Sequence, residues 1–472
     1  MNLSLKSLLP RSAAERVMLA MLAAKNWGSV ISAARRVGFP EMARRRKRWA
    51  WLGAMKGPND LTARFIKGRT GPYREAAAFL MTEMTAGFLE SLEEIHAHPK
   101  LLVLHEDMVP SEILRGMGLV PWTAELLGIM TSVVSIPLGE QMIDIAESHG
   151  IPPDTCSLPK VTMGLVLADQ MPRPRVMVAS NMPCDGGMSS YSLMEKELGV
   201  PSFRLDVPFN FHSDRAVDYF VVQLKEMIAW LERHTPGRMD WDRMRLVCER
   251  RNEAARLEME LWDLLMQVPA PLAAEPVYFS HLMFMVGNPG SDRSIRVMAR
   301  MLEYARTNVR EGRGALPRER HRAILWNPPT LSFPDLWVWA EEKYQVAMIM
   351  DMLTFNRHPY IDTSTPDTIL RSLCHIIMEG PMAQHTRGPA ENFFSDLFSV
   401  YERFSADMIW MAGHVGCKNT MALSGMFREK CRERNIPLLI LSYDLHDTRV
   451  VSPAEMRAQV DSFMEAVMGR GA

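Results

Sequence analysis

Beyond residue 100 the chain alternates short apolar runs with stretches in which apolar positions recur every three or four residues. "LLVLHED" leads into "VPSEILRGMG", "RVMVASN" follows "VTMGLVLADQ", and "SFRLDVP" follows "SYSLMEKELGV". Apolar runs bounded by turn residues are strand candidates and the 3.6-residue period marks helices, so this order predicts βα units building a parallel sheet. The plan recurs with "AILWNPP", "VAMIMDM" after "LWVWAEEKY", "DMIWMAG" after "NFFSDLFSVYERF", and "PLLILSYD" after "MFREKCRERNI". Before residue 100 only helical spacing is found, as in "REAAAFLMTEMTAGFLESLEEIHAH", and a long charged helical stretch, Asp214 to Gln267, separates the two alternating regions. The prediction is an α/β protein: two flavodoxin-like open parallel-sheet domains facing a cleft, plus an α-helical N-terminal region. The expected divisions are a helical region 1–98, a first α/β domain 99–235, a helical connector 236–275 and a second α/β domain 276–472.

Length and charge narrow the function classes. At 472 residues the chain exceeds one ordinary core. With 47% hydrophobic and 23% charged residues and a formal net charge of −1, it reads as globular, with no global attraction to nucleic acid. Residues 1–70 depart from this, with 15 Lys or Arg against three acidic residues and the run "RRRKR" at Arg44 to Arg48. No interleaved aromatics accompany that run, so a solvated helix face or a subunit contact is the expectation. The longest early apolar run, "VMLAMLAA" from Val17, is too short to span a bilayer and starts too late for a signal peptide, so a cytoplasmic protein is expected. The 38 methionines read as adaptable core filling.

Six cysteines in so long a chain, without a secretion signal, read as free thiols. Cys248, Cys374 and Cys431 sit inside helix-period patterns, where packing explains them. Cys156 in "IPPDTCSLPK", Cys184 in "NMPCDGG" and Cys417 in "HVGCKNT" stand instead among loop residues, the last two after predicted strands. Ligands of open α/β sheets bind outside the carboxyl ends of the strands, so Cys184 and Cys417 can approach across a cleft, with Cys156 completing a set of three. Three thiolates suit zinc or an iron–sulfur cluster. No CxxC pair is present, which argues against a zinc ribbon or a ferredoxin-type cluster.

The run "GCKNTMALSGMFREKCRERNIPLLILSYDLHDTRVVSPAEMRAQVDSFMEAV" resembles the 2-hydroxyacyl-CoA dehydratase and benzoyl-CoA reductase family. There a Cys loop, a helix, a strand with "IPxLxLxxDxxD-R" and a final helix follow in that order. "VPSEILRGMGLVPWTAELLG" looks like the family's first βα unit, "DTCSLPKVTMG" like its first cysteine loop, and "CDGGMSSYSLMEKELGVPSFRLDVPFN" like its second. The resemblance spans roughly residues 100 to 470. It departs at "ILWNPPT", where family members often carry a glycine-containing turn, and nothing is carried onto the basic N-terminal hundred residues.

The resemblance implies that Cys156, Cys184 and Cys417 hold a [4Fe-4S] cluster with one iron lacking a cysteine ligand. It implies an acyl-CoA thioester substrate, from which water is eliminated through a ketyl radical, or a benzoyl-CoA ring reduced by the same low-potential logic. A subunit that only relays electrons or serves as scaffold is the third reading. The chain has neither "GxxxxGK[ST]" nor "GxGxxG", and the resemblance implies a separate ATP-hydrolysing iron–sulfur activator and a second related subunit.

Among other side chains, Ser111 and Glu112 follow Pro110 at a βα loop. They are candidate catalytic residues, or simply residues of a first helical turn where a carboxylate is favoured. His105 and Glu106 end a strand, and His414 stands three residues before Cys417, placed to donate a hydrogen bond to sulfur or to satisfy its own loop. Asp444, Asp447 and Arg449 in "YDLHDTR" are expected to brace the loop after the last strand.

Overall fold

The computed structural model describes residues 13–38, 71–208, 213–327, 336–386 and 388–469, with isolated positions between 38 and 71 and at 333. The basic run Arg44 to Arg48 and the Pro328 to Thr330 part of "ILWNPPT" lie outside the described residues.

Two parallel four-stranded sheets form. The first contains β1 (Leu102–His105), β2 (Val120–Thr123), β3 (Val176–Ser180) and β4 (Ser202–Leu205) in the order β2-β1-β3-β4. The second contains β5 (His321–Trp326), β6 (Val346–Asp351), β7 (Met408–His414) and β8 (Leu438–Tyr443) in the order β6-β5-β7-β8. The two orders are the same once the strands are counted from one in each sheet, so the two predicted flavodoxin-like sheets are present with one topology. In both, the chain reverses its winding between the first and third strands, which leaves a crevice at their carboxyl ends.

Burial follows this order in part. The interior strands β1, β3 and β7 are buried along their whole length, as strands covered by helices on both faces must be, and β6 is buried as well although it stands at an edge. The edge strands β4 and β8 keep partly exposed positions. Successive β1 residues point to opposite faces: Leu102 and Leu104 join a core that runs through both sheets, and Val103 joins a second core with Phe220, Leu224, Leu370 and Leu373. That second core is where helix Asp214–His234, which follows the first sheet, meets helix Pro366–Met378 of the second region.

The N-terminal region is helical, with helices Ala13–Val37 and Gly71–Ala97. The latter is joined to the second region. Tyr73 Oη donates to Ala273 O at 3.1 Å and to Glu341 Oε1 at 2.9 Å, and the Arg69 guanidinium bonds Glu341 and pairs with Glu275. The charged stretch beginning at Asp214 becomes two helices, Asp214–His234 and Trp241–Leu265. The end of the second is tied to the sheet by buried Arg322, whose guanidinium donates to Leu265 O, Gln267 O and Phe404 O at 2.9 to 3.0 Å. Among the described residues no helix is long and apolar enough to cross a membrane.

Helix Ser157–Leu167, which carries Cys156 at its start, is seated by close packing on helix Ile136–Ser148. A Cβ on Gly164 would collide with the carbonyl of Met142. Gly164→Ala should therefore cost about 1–3 kcal/mol despite better helix propensity. Gly425→Ala, in helix Ser424–Glu433 with open space around it, should be neutral or slightly stabilising. Chemical denaturation of the two variants side by side checks this, and equal stability would remove the packing constraint on the Cys156 helix.

Candidate active site

Cys184 follows β3 and caps helix Asp185–Leu198, while Cys417 follows β7 and caps helix Lys418–Ala422. The two cysteines thus occupy the same position in their sheets, on the loop leaving the third strand at the crevice. Cys156 stands before helix Ser157–Leu167 in the connection from β2 to β3. All three thiols lie at helix starts, where the unpaired N–H groups and the helix dipole favour negative charge.

Missing side chains let the loops meet. A Cβ on Gly416 would fall 2.5 Å from Cys156 Cα and 2.9 Å from its N, so only glycine permits this approach. A Cβ on Gly186 would lie in ordinary contact with Cys156 Cβ, at 3.7 Å. Thr386 ties the other two loops together: its Oγ1 donates to Pro183 O at 2.6 Å, and its own carbonyl accepts from Asn419 Nδ2 at 3.1 Å. The thiols are near enough for Cys156 and Cys184 to be affected by their sulfur neighbours. Burial and then the neighbouring Cys184 and Cys417 push the Cys156 thiol well up, and burial and Cys417 raise Cys184. Three soft sulfur donors on converging loops, two of them raised by burial and by their sulfur neighbours, fit a soft metal or an iron–sulfur centre. Cys248, Cys374 and Cys431 are buried in helices Trp241–Leu265, Pro366–Met378 and Ser424–Glu433, and burial raises each of them.

His414 ends β7 beside this group. Leu445 N–H donates to its Nδ1 at 3.2 Å, so Nδ1 is the acceptor nitrogen and Nε2 carries the proton of the neutral ring. Nε2 lies 3.1 Å from Cys156 Sγ and donates to it. The loop after β8 is braced as its charges imply. Arg449 donates through Nε and Nη2 to the two oxygens of Asp447 at 2.8 Å, and Asp444 Oδ1 accepts from the backbone N–H groups of His446 and Asp447.

Between the two sheets lies a cavity of about 210 Å³. Its wall is contributed by both regions, with Ile129 and Leu158 from the first and Leu282, Phe355, Ile376 and Leu445 from the second. Pockets that enclose drug-sized ligands run from about 300 Å³ upward, so this cavity takes the compact end of a ligand rather than a whole nucleotide cofactor. Leu158 and Leu445, close in sequence to Cys156 and Asp444, put the cavity next to the cysteine loops.

Ser111 and Glu112 line this cavity. Glu112 Oε1 pairs with Arg251 Nε at 2.9 Å, both side chains nearly buried, and Arg251 Nη1 also donates to Pro359 O at 2.9 Å. His105 does not reach the cavity wall. It is buried, its Nδ1 donates to Glu106 O, and burial lowers its pKa to about 4. Glu106 accepts from Ser180 Oγ at 2.6 Å and Met108 N at 2.8 Å, and burial first and then the neighbouring Asp107 push it well above the carboxylate range.

Glu125, Arg251, Tyr278 and His281 also line the wall and were not singled out from sequence. Glu125 lies in the first turn of helix Ala124–Val134 after β2, and both its oxygens lie 2.6 Å from Tyr191 Oη. Burial and then Asp107 raise its pKa to about 8. Its place after a strand is the same signal that marked Glu112, so it was open to the same reasoning. His281 Nδ1 lies 2.7 Å from Glu258 Oε1. Burial opposes its charge, and Glu258 outweighs burial and holds its pKa above the usual value. Arg251 and Glu258 occur in a helix whose composition reads as solvated, and nothing in its pattern marks them as buried.

A family model described as 2-hydroxyglutaryl-CoA dehydratase, D-component, matches residues 108–467. The chain is similar to the (R)-2-hydroxyisocaproyl-CoA dehydratase alpha subunit of Clostridioides difficile, at 24% identity over 39% of this chain and 47% of the relative. It is similar to the alpha subunit of lactoyl-CoA dehydratase of Anaerotignum propionicum, at 20% identity over 69% of this chain and 81% of the relative. It is also similar to a benzoyl-CoA reductase subunit of Thauera aromatica, at 23% identity over 69% of this chain and 79% of the relative. Against the first of these the matched segment spans about half of the relative's length.

Because the Glu125 pKa rises from 4.5 to about 8 on folding, the folded state favours its protonated form. The stability this contributes is complete below the unfolded pKa and is lost as pH climbs through about 8. Glu125→Gln keeps a partner for Tyr191 and should reduce the fall in melting temperature between about pH 5 and 9, leaving the part due to Glu106. Glu112→Gln instead leaves Arg251 buried without a counter-charge and should cost about 3–5 kcal/mol. Melting curves across pH test both, and an unchanged slope in Glu125→Gln would show that carboxyl to be ionised throughout.

Proposed function

The chain belongs to the 2-hydroxyglutaryl-CoA dehydratase D-component family, and we propose that it is the iron–sulfur subunit of a 2-hydroxyacyl-CoA dehydratase. In this reading Cys156, Cys184 and Cys417 hold a [4Fe-4S] cluster with one iron free of cysteine. The observation that carries it is the convergence of three loop thiols beside an apolar-walled cavity that also holds a high-pKa carboxyl.

When bound, such a cluster supplies a low-potential electron and a Lewis-acidic iron, which is what elimination across an unactivated β-position lacks. The chain's own residues do the rest. The apolar wall excludes water and receives the acyl group. Glu125, whose pKa is raised into the working range, is a base strong enough to take a β-proton and an acid able to return one, and Tyr191 orients it. His414 donates to Cys156 Sγ and stabilises negative charge on that sulfur. Arg251 is engaged by Glu112 and His281 by Glu258, so the described wall offers no unengaged cation to a second carboxylate. An uncharged acyl group is the expected substrate end.

The electron would come from an ATP-hydrolysing iron–sulfur activator, and a second related subunit would complete the enzyme, in keeping with relatives named as alpha subunits. A second reading, a subunit of an aryl-CoA reductase, is favoured by one observation: the benzoyl-CoA reductase relative is matched over as much of the chain as the lactoyl-CoA dehydratase relative.

Anaerobic purification followed by iron and acid-labile sulfide analysis should find about one [4Fe-4S] cluster per chain. Alanine at Cys156, Cys184 or Cys417 should abolish or degrade it, while alanine at Cys248, Cys374 or Cys431 should leave it intact. Stoichiometric zinc without sulfide would overturn the assignment. With the cluster in place, an apolar 2-hydroxyacyl-CoA should perturb the electron-paramagnetic or Mössbauer signature of one iron, and benzoyl-CoA should do so instead if the reductase reading holds. A cluster that accepts electrons but ignores both thioesters would make this chain a relay or scaffold.

A further inference from the structure

On the far side of the cavity wall, three side chains that the proposed reaction does not use converge. His375 and Glu379 stand four residues apart at the end of helix Pro366–Met378, and His358 comes from the loop that follows β6. His375 Nδ1 lies 2.7 Å from Glu379 Oε1, and His358 Nε2 lies 2.8 Å from Glu379 Oε2. The rings sit 5.4 Å apart, and the three ligand atoms all fall within 4.8 Å of one another. Glu379 is mostly buried, whereas the two rings are about two-fifths exposed. Burial works against the Glu379 charge, and the hydrogen bonds from His375 and His358 outweigh it and hold the carboxyl below its usual range.

The pair four residues apart is an ordinary helix-surface contact. The third group is not, because His358 is brought in from a separate loop and directs a nitrogen to the same carboxylate. We propose that His358, His375 and Glu379 form a binding site for a divalent transition-metal ion of the zinc class, distinct from the three-cysteine centre. Two imidazole nitrogens and one carboxylate oxygen are borderline donors that suit zinc or ferrous iron. Magnesium and calcium take oxygen ligands instead. Metal–ligand bonds of about 2.0–2.2 Å require each histidine nitrogen, now at hydrogen-bond separation from a Glu379 oxygen, to draw back from it by roughly 0.5 Å, within the freedom of partly exposed rings. Three protein ligands leave at least one position to water.

The place of the site gives it a role. Asn356, Ile376 and Gly380 line the cavity, next in sequence to the three ligands or two residues away. An ion there clamps the loop after β6 to the end of the helix and fixes that side of the acyl pocket. The loop has other anchors, namely Arg357 to Asp396 and Arg251 to Pro359 O, so loss of the site should leave the fold intact. The inference does not depend on the dehydratase reading.

The test is dialysis of the anaerobically purified protein against micromolar free Zn²⁺, with metal analysis and melting curves of the wild type, His375→Ala and Glu379→Gln. The wild type should retain one zinc per chain beyond its iron and melt at a higher temperature with zinc than without. Both variants should bind it more than about tenfold more weakly and lose the shift, with iron and sulfide unchanged. Co²⁺ substitution should produce ligand-field bands without thiolate charge transfer. Equal zinc in wild type and variants, no zinc in the wild type, or a cobalt–thiolate spectrum would each overturn the proposal.

Discussion

The contact on which the arrangement of this protein turns is the one between Gly416 and the backbone of Cys156. The two sheets have the same strand order, so each presents a crevice and a cysteine-bearing loop at the same place. Identical topology alone does not make the crevices face one another. They do so because the β7 loop passes within van der Waals range of the Cys156 backbone, where any side chain at position 416 would overlap it. Asn419 and Thr386 then hold the Cys417 loop against the Cys184 loop, and Ser157 Oγ accepts from the backbone of His446 across the same seam. A neighbourhood of three thiols and a cavity beside it are the two products of that closure.

Closure places charges in an apolar cleft, and each is met in one of two ways. Glu112 with Arg251 and Glu258 with His281 are paired across elements, which removes most of the cost of burying either partner. Among the described residues no cation pairs with Glu125 or Glu106, whose pKa values rise instead in a negative neighbourhood shared with Asp107. The pairing engages the cations of the described wall, and burial leaves a carboxyl with its pKa raised to about 8. Both outcomes follow from the same desolvation.

Sequence pattern determines structure where the physics is local. A buried strand between helices is written as an apolar run, which is why seven of the eight strands stand out as runs in the sequence, and the order of βα units implies parallel sheets. The exception is β2, four residues long and interrupted by Pro121. Loop composition separated Cys156, Cys184 and Cys417 from the three helical thiols, because a helix-period residue is buried or exposed by its own helix. Ser111 and Glu112 were visible as residues at a strand's end, and the structure puts them on the cavity wall. Glu125 obeys the same rule, two residues past the end of β2.

Other features have no local signature. Arg251 and Glu258 sit in a sequence that looks solvated throughout, and they are buried only because the helix that carries them runs under the cleft. The convergence of His358 on His375 and Glu379 depends on where a loop lands, as does the Glu341 partnership that joins the N-terminal helix to the second sheet. What the sequence alone determined is the set of elements, their parallel order and the residues that stand at strand ends. Which of those ends face each other, which charges become neighbours and which titrate were decided by the tertiary structure. The reason is that burial and pairing energies depend on distances between segments far apart in the chain, and periodicity carries no record of them.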